Sequence, residues 1–268
     1  MVPVSVVIIT QNKAEVIAGC VDSVKLITDD IVLIDNNSTD GTTVIAHRQG
    51  CRVYDESWDG YGANKNKGNS RAKYDWILSI DADEQPDEEL ISALHRLDLD
   101  DHRIVYDIAF KSYFGPKLIN FGSWGRDHHI RLFNRKIVRW SEPAVHETLL
   151  LPYGITIKKM RGHIHHYSVK DANEYSDKSA AYAKLCAEKY FAIDKKASLK
   201  KLYLAPAFHF LKNYLFFLGF LDGREGFEIA STIARHTRLK YRLLRKMYNK
   251  STPEIPAVKE KMIVEYSS

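Results

Sequence analysis

Trp76-Ile77-Leu78-Ser79-Ile80-Asp81-Ala82-Asp83-Glu84 is a short, mostly apolar run that ends by delivering two carboxylates one residue apart. Such a run, too short for a helix and apolar on both faces, fits a strand covered on both sides by helices. Ligands of parallel α/β sheets bind at the carboxyl ends of the strands, so Asp81 and Asp83 stand where a ligand would be met. At a strand-to-turn junction both can approach one site, where Mg²⁺ or Mn²⁺ takes hard oxygen ligands and bridges them to phosphates. A solvated turn is the competing reading of any isolated Asp-x-Asp, and the preceding apolar strand favours the metal.

Outward from this stretch, β-branched runs recur at Val4 to Ile9, Ile31 to Ile34, Arg52 to Tyr54 and Ile104 to Phe110. Helical periodicity at Ala14 to Leu26 and Glu88 to Leu97 gives the alternation of a parallel α/β sheet. Ile31-Val32-Leu33-Ile34 also ends in an acid, followed by turn residues: Asp35-Asn36-Asn37-Ser38-Thr39-Asp40-Gly41-Thr42. Two readings stand side by side: a turn with a helix start, or a carboxylate accepting the imide N–H of a uracil-type base. Later, Ile130 to Phe133, Ile137 to Trp140, Ile155 to Lys158 and His163 to Tyr167 read as short strands. Asp171 to Ile193 and Ser198 to Lys250 read as long helices, broken near Gly219, Gly223 and Gly226. The fold class is α/β, with a nucleotide-binding sheet over residues 1–170 and a helical C-terminal region over 171–268.

With 268 residues, 45% hydrophobic and 27% charged, the chain can bury a full core, and it has no repeat or low-complexity tract. Cys20, Cys51 and Cys186 lie far apart without C-x-x-C spacing, and read as ordinary thiols in a reducing compartment. The apolar N-terminus has no basic flank and runs into Gln11-Asn12-Lys13, which reads as a buried strand rather than a signal peptide. A net charge of +5 indicates an anionic partner, and from Arg235 to Lys250 the basic residues have no acidic neighbour.

Taken together, Val4 to Asn12, Ile31 to Thr42, Asn66 to Arg71 and Trp76 to Glu84 resemble, in order and spacing, the family 2 inverting glycosyltransferases, which have the GT-A fold. Arg131-Leu132-Phe133-Asn134-Arg135, Val145-His146-Glu147 and Gly219-Phe220-Leu221-Asp222-Gly223 resemble in particular the bacterial lipopolysaccharide inner-core glucosyltransferases. The resemblance implies a donor-binding part over 1–100 and an acceptor-binding part over 101–170. It implies that Thr10 and Asn12 line the nucleoside pocket, that Asp35 binds the base, and that Asn66 and Arg71 lie near the donor ribose and diphosphate. Asp81 would contact the ribose or the metal's hydration shell, and Asp83 would be the direct ligand of Mn²⁺ or Mg²⁺. The family often carries its base in a Glu-Asp pair, and this chain has none after Glu89. Glu147 becomes the expected base, with His146 as an acceptor contact. In the run His163, His165, His166, residue His165 is favoured to touch the leaving phosphate or complete the metal shell.

The implied function is inverting transfer of a hexose, glucose from UDP-glucose on the resemblance, onto a lipopolysaccharide-core or other glycan acceptor. A polyprenyl-phosphate glycosyltransferase needs the same fold and a membrane face. A non-catalytic nucleotide or nucleic-acid module is disfavoured, because no groove-reading or base-stacking signature is present, and a glycosidase carboxylate pair would not explain the Asp35 turn. Leu202 to Leu221 is apolar for about the length of a bilayer span, but Pro206, His209, Lys212 and Asn213 interrupt it. Tyr203, Phe208, Phe210, Tyr214, Phe216 and Phe217 suit an interfacial helix, and equally a cover for the sheet or a contact in a homo-oligomer. The expected location is cytoplasmic, on the inner face of a membrane.

Overall fold

The computed structural model of the protein describes residues 1–142 and 148–251. Its strands are β1 (Val4–Thr10), β2 (Ile31–Asp35), β3 (Arg52–Asp55), β4 (Trp76–Asp81), β5 (Glu84–Pro86), β6 (Ile104–Phe114), β7 (Lys117–Leu118), β8 (His128–Asn134), β9 (Arg139–Trp140), β10 (Leu149–Leu150) and β11 (Thr156–Val169). Its α-helices are α1 (Ile17–Val24), α2 (Thr42–Arg48), α3 (Tyr61–Arg71), α4 (Glu88–His95), α5 (Ala172–Ala192), α6 (Leu199–Leu211) and α7 (Gly223–Ser251).

The main sheet runs β3-β2-β1-β4-β8-β6-β11-β5, with β7 added to β6. The first four strands are parallel; β8 then pairs antiparallel with both β4 and β6, making the sheet mixed. Every residue of β1 is buried, and the two-residue period of a strand sends alternate side chains into two separate cores. Val4, Val6 and Ile8 join α1 and α4 on one face, while Val7 and Ile9 join Val32, Ile34 and Phe133 on the other. Helix α1 buries Ile17, Cys20, Val21 and Val24, the stripe of an amphipathic helix. Asp87 caps α4 by accepting a hydrogen bond from the Leu90 N–H. Cys20, Cys51 and Cys186 are all buried.

Several elements differ from the sequence expectation for identifiable reasons. Helix α1 is shorter than 14–26, because residues 13–16 form a turn whose amides bond to Thr42 and Asp40. Helix α3 has no apolar stripe to announce it; it buries Gly62, Asn64, Lys65, Gly68 and Asn69 instead. The two strands expected at 155–158 and 163–167 are one, β11, whose pairing with β6 shifts between Lys159 and His163 around Gly162, at φ +85°. Gly226 does not interrupt a helix: it lies in α7, where a Cβ would meet the Gly219 carbonyl oxygen at 1.8 Å.

The C-terminal helices dock through Phe114, Ile119, Val169 and Ile229, with Trp124 and Tyr175 packed against them. No single helix among the described residues is long and apolar enough to cross a membrane; one bent pair, Leu199–Phe216 with Gly219–Asn249 at 71°, passes on length and composition together.

Helix α3 lies close on the sheet because Gly68 has no side chain: a Cβ there would sit 2.4 Å from Val7 Cγ1 and 3.2 Å from Ile34 Cγ1. Gly68→Ala should destabilise the fold by about 1–3 kcal/mol through overpacking, read as a lower denaturation midpoint.

Candidate active site

Strand β1 brings its carboxyl end between those of β2 and β4, with Thr10 opposite Asp35 and Ile9 opposite Asp81. Two strand spacings of about 4.8 Å therefore separate the acid-bearing ends by roughly 10 Å, on one edge of the sheet. Beyond that edge opens a cleft of about 790 Å³. Thr10, Lys13, Asp81 and Asp83 line it from the strand ends and the loops after them, together with Ser112, Trp124, Asp127 and His166; α5 and α7 contribute Tyr175, Lys178, Tyr182 and His236.

Asp81 ends β4, and the chain reverses at once into β5, so Asp83 occupies the turn. Strand β5 pairs antiparallel with β11 and sets His166 opposite Glu84. That register leaves His166 Nε2 3.7 Å from Asp83 Oδ1, while Lys13 Nζ lies 2.8 Å from Asp83 Oδ2. Asp81 faces Lys65 Nζ at 3.5 Å and the Arg131 guanidinium at 3.2 Å. Glu84, fully buried, accepts from Arg131 at 2.5 Å and from the Asp81 N–H at 2.9 Å. Three carboxylates thus meet the cations Lys13, Lys65 and Arg131 in one knot.

Burial disfavours the charge of Asp81, but Lys65, Arg131 and His166 together hold its carboxyl well below the usual range. Burial pushes the His166 imidazole down, opposed by Asp83 and Asp81, so that its neutral form, the metal-ligating one, is favoured. Asp127 is likewise resisted by burial, yet its hydrogen bond with His129, 3.0 Å away, keeps it below the usual range and ionised.

Among the described residues no group of three or more His, Cys, Asp or Glu side chains forms a ready-made metal centre. Asp83 and His166 nevertheless offer the donor types a divalent cation takes, an oxygen and a neutral nitrogen 3.7 Å apart, somewhat wider than the roughly 3 Å between adjacent octahedral donors at bonds of about 2.1 Å, and a ligand would complete the shell.

The structure sorts the expected site residues. Thr10, Asp81 and Asp83 line the cleft. Asp35 is buried beside it; its Oδ2 accepts from the Ser38 N–H, and its Oδ1, like Thr10 Oγ1, has no hydrogen-bond partner among the described residues. Asn12 turns away to hold the Asp35 loop, its Oδ1 accepting from the Thr39 N–H and its own N–H donating to Ser38 Oγ. Asn66 is occupied by Trp140 and Glu142, and Arg71 lies outside β3, stacked on Tyr54 and 3.6 Å from Glu56. His146 and Glu147 fall outside the described residues.

His165 does not line the cleft. Its Nδ1 bonds the Tyr113 hydroxyl at 2.9 Å, and His163 pairs with Asp87, whereas His166 reaches Asp83. Strand alternation held the signal: Ile164 is fully buried, and His166 shares its face. Sequence reasoning also gave no role to Lys13, Lys65, Trp124 or Asp127, whose segments carry no motif that marks them as site residues.

Arg131→Met would leave Glu84 buried beside Asp81 without its cation, and should cost about 3–5 kcal/mol of stability in denaturant titration. Arg131→Met combined with Glu84→Gln should recover a large part of that loss.

Residues 5–148 match the family model described as glycosyl transferase family 2. An uncharacterized glycosyltransferase of Rickettsia typhi is 30% identical over 254 residues, covering 89% of this chain and 86% of that protein. The lipopolysaccharide core biosynthesis glycosyltransferase LpsC of Rhizobium meliloti is 27% identical over 222 residues, 79% of this chain and 80% of that one. A solved glucosyl-3-phosphoglycerate synthase of Mycobacterium tuberculosis overlaps only 41% of this chain and 43% of its own, at 22% identity and a TM-score of 0.34. The mixed sheet with its acidic strand ends is thus a GT-A fold, and the chain belongs to glycosyl transferase family 2.

Proposed function

We propose that the protein transfers a hexose, with inversion, from a uridine diphosphate sugar to a glycan acceptor of the lipopolysaccharide-core kind. The observation that carries this reading is the convergence of Asp83, His166 and Asp127 on one cleft, beside oxygens of Asp35 and Thr10 that have no hydrogen-bond partner among the described residues. The likeness to LpsC over most of both chains supports the acceptor class.

The Asp35 Oδ1 atom offers a buried acceptor to a base that presents an imide N–H, as uracil does. Asp81, fixed by Lys65 and Arg131, orients the ribose end of the donor. Asp83 and His166 would hold Mn²⁺ or Mg²⁺, which supplies neutralisation of the charge gathering on the diphosphate. Lys13 adds a cation at the same place, 2.8 Å from Asp83.

Asp127 is the base in this reading. It is ionised and lines the same cleft as Asp83 and His166, where an acceptor hydroxyl would meet a carboxylate able to take its proton. As the acceptor oxygen bonds to the anomeric carbon, the bond from that carbon to the phosphate oxygen breaks. The hydroxyl proton passes to the Asp127 carboxylate, and the electron pair leaves with the diphosphate.

A thermal-shift panel of UDP-, GDP- and dTDP-sugars with and without Mn²⁺ tests the donor side; the UDP-sugar with metal should stabilise the protein most. Asp83→Ala should abolish the metal-dependent part of that shift, and Asp35→Asn should reduce the preference for uracil about tenfold or more. Asp127→Asn should leave donor binding intact while lowering turnover by about 10²–10⁴-fold. Full turnover in Asp127→Asn together with its loss in Glu147→Gln would transfer the base to Glu147.

A further inference from the structure

The apolar stretch that reads equally as core cover or interfacial helix is divided by the fold into an inner and an outer set. Phe210 and Tyr214 are half-buried, their rings 5.9 and 5.7 Å from that of Phe227, and Phe217 lies under the Arg126 guanidinium. Tyr203, Leu204, Phe208, Leu211, Leu215 and Phe216 turn outward, with exposures from 43% to 71%. Leu204, Phe208, Leu211 and Leu215 follow the spacing of a helix stripe, which in a helix packed on a core would point inward. Here it is Pro206, on the other side of α6, that is buried.

We infer that this outward face is a docking surface for a bilayer carrying anionic headgroups. From Lys195 to Leu221 the chain holds Lys195, Lys196, Lys200, Lys201 and Lys212 and not one acidic residue. Large apolar side chains bordered by cations match an interface whose outer layer is negative and whose next layer is hydrocarbon. A second copy of the chain is a poorer occupant. A two-fold contact on this patch would place the same lysines against each other with no carboxylate of the patch to offset them.

The surface is stitched to the cleft. Gly122 N–H donates to the Phe217 carbonyl, Ser123 N–H to Asn213 Oδ1, and the amides of Asn120 and Phe121 to the Asp222 carboxylate. The loop they fix carries Trp124 into the cleft wall. Docking would therefore set the mouth of the cleft beside the bilayer, where an acceptor built on a lipid is presented. Vesicle binding requires no donor and no turnover, so this inference stands or falls apart from the transfer reaction.

The test is co-sedimentation of the full chain with vesicles of phosphatidylcholine alone or mixed with phosphatidylglycerol, at low and high salt. The wild type should bind the mixed vesicles, more weakly as salt rises. Phe208→Ser with Phe216→Ser should lower that partition about tenfold or more while leaving the melting temperature and the UDP-sugar shift unchanged. Lys200→Glu with Lys201→Glu, at exposed positions where misfolding is not expected, should lower partition to a similar degree for the mixed vesicles. No binding by the wild type, or equal binding by the wild type and both double variants, would overturn the inference. So would a concentration-dependent dimer in sedimentation velocity that the Phe208→Ser, Phe216→Ser variant abolishes.

Discussion

A single guanidinium, that of Arg131, joins the last carboxylate of β4 to the buried Glu84 of β5 and so fixes the corner of the chain from which Asp83 emerges. Charges taken out of water are costly unless their partners come with them, and this knot brings its partners from four separate places: β8, α3, the loop after β1, and the β4–β5 turn. The arrangement specifies geometry more than it adds stability. It holds Asp81 immobile and leaves Asp83 facing the cleft.

The sheet supplies the rest by register. Because β1 is buried on both faces, its two apolar sets lock it between β2 and β4 in one alignment, and a slip of a single residue would send each set into the wrong core. That alignment brings Thr10 level with Asp35 and Ile9 level with Asp81. The change to antiparallel pairing at β8 then lets a second set of side chains, Asp127 and Arg131, approach the same edge from the opposite direction.

The parallel half of the fold was legible because its strands are continuous apolar runs ending in acids, a pattern written locally. The acidic pair at Asp81 and Asp83 was legible for the same reason. What escaped was set by pairing between distant segments. His166 is distinguished from His165 only by the register of β11 on β5, Lys65 only by α3 burying a polar face, and Asp127 only by the antiparallel return of β8. Asn66 and Arg71 sit on α3, where helical rotation gives Asn66 to Trp140 and Arg71 to Tyr54 and leaves Lys65 turned toward Asp81.

Strand β11 passes into α5 with only Lys170 and Asp171 between them. His166 beside Asp83, and Tyr175, Lys178 and Tyr182 in the same cleft lining, are therefore borne by two directly successive elements, the second capped by the Asp171 carboxylate. The joint between them works as a hinge pin of fixed length: it sets where the helix residues stand relative to His166. Lengthening or shortening that two-residue joint would alter which molecules fit the gap without touching any group that performs the chemistry.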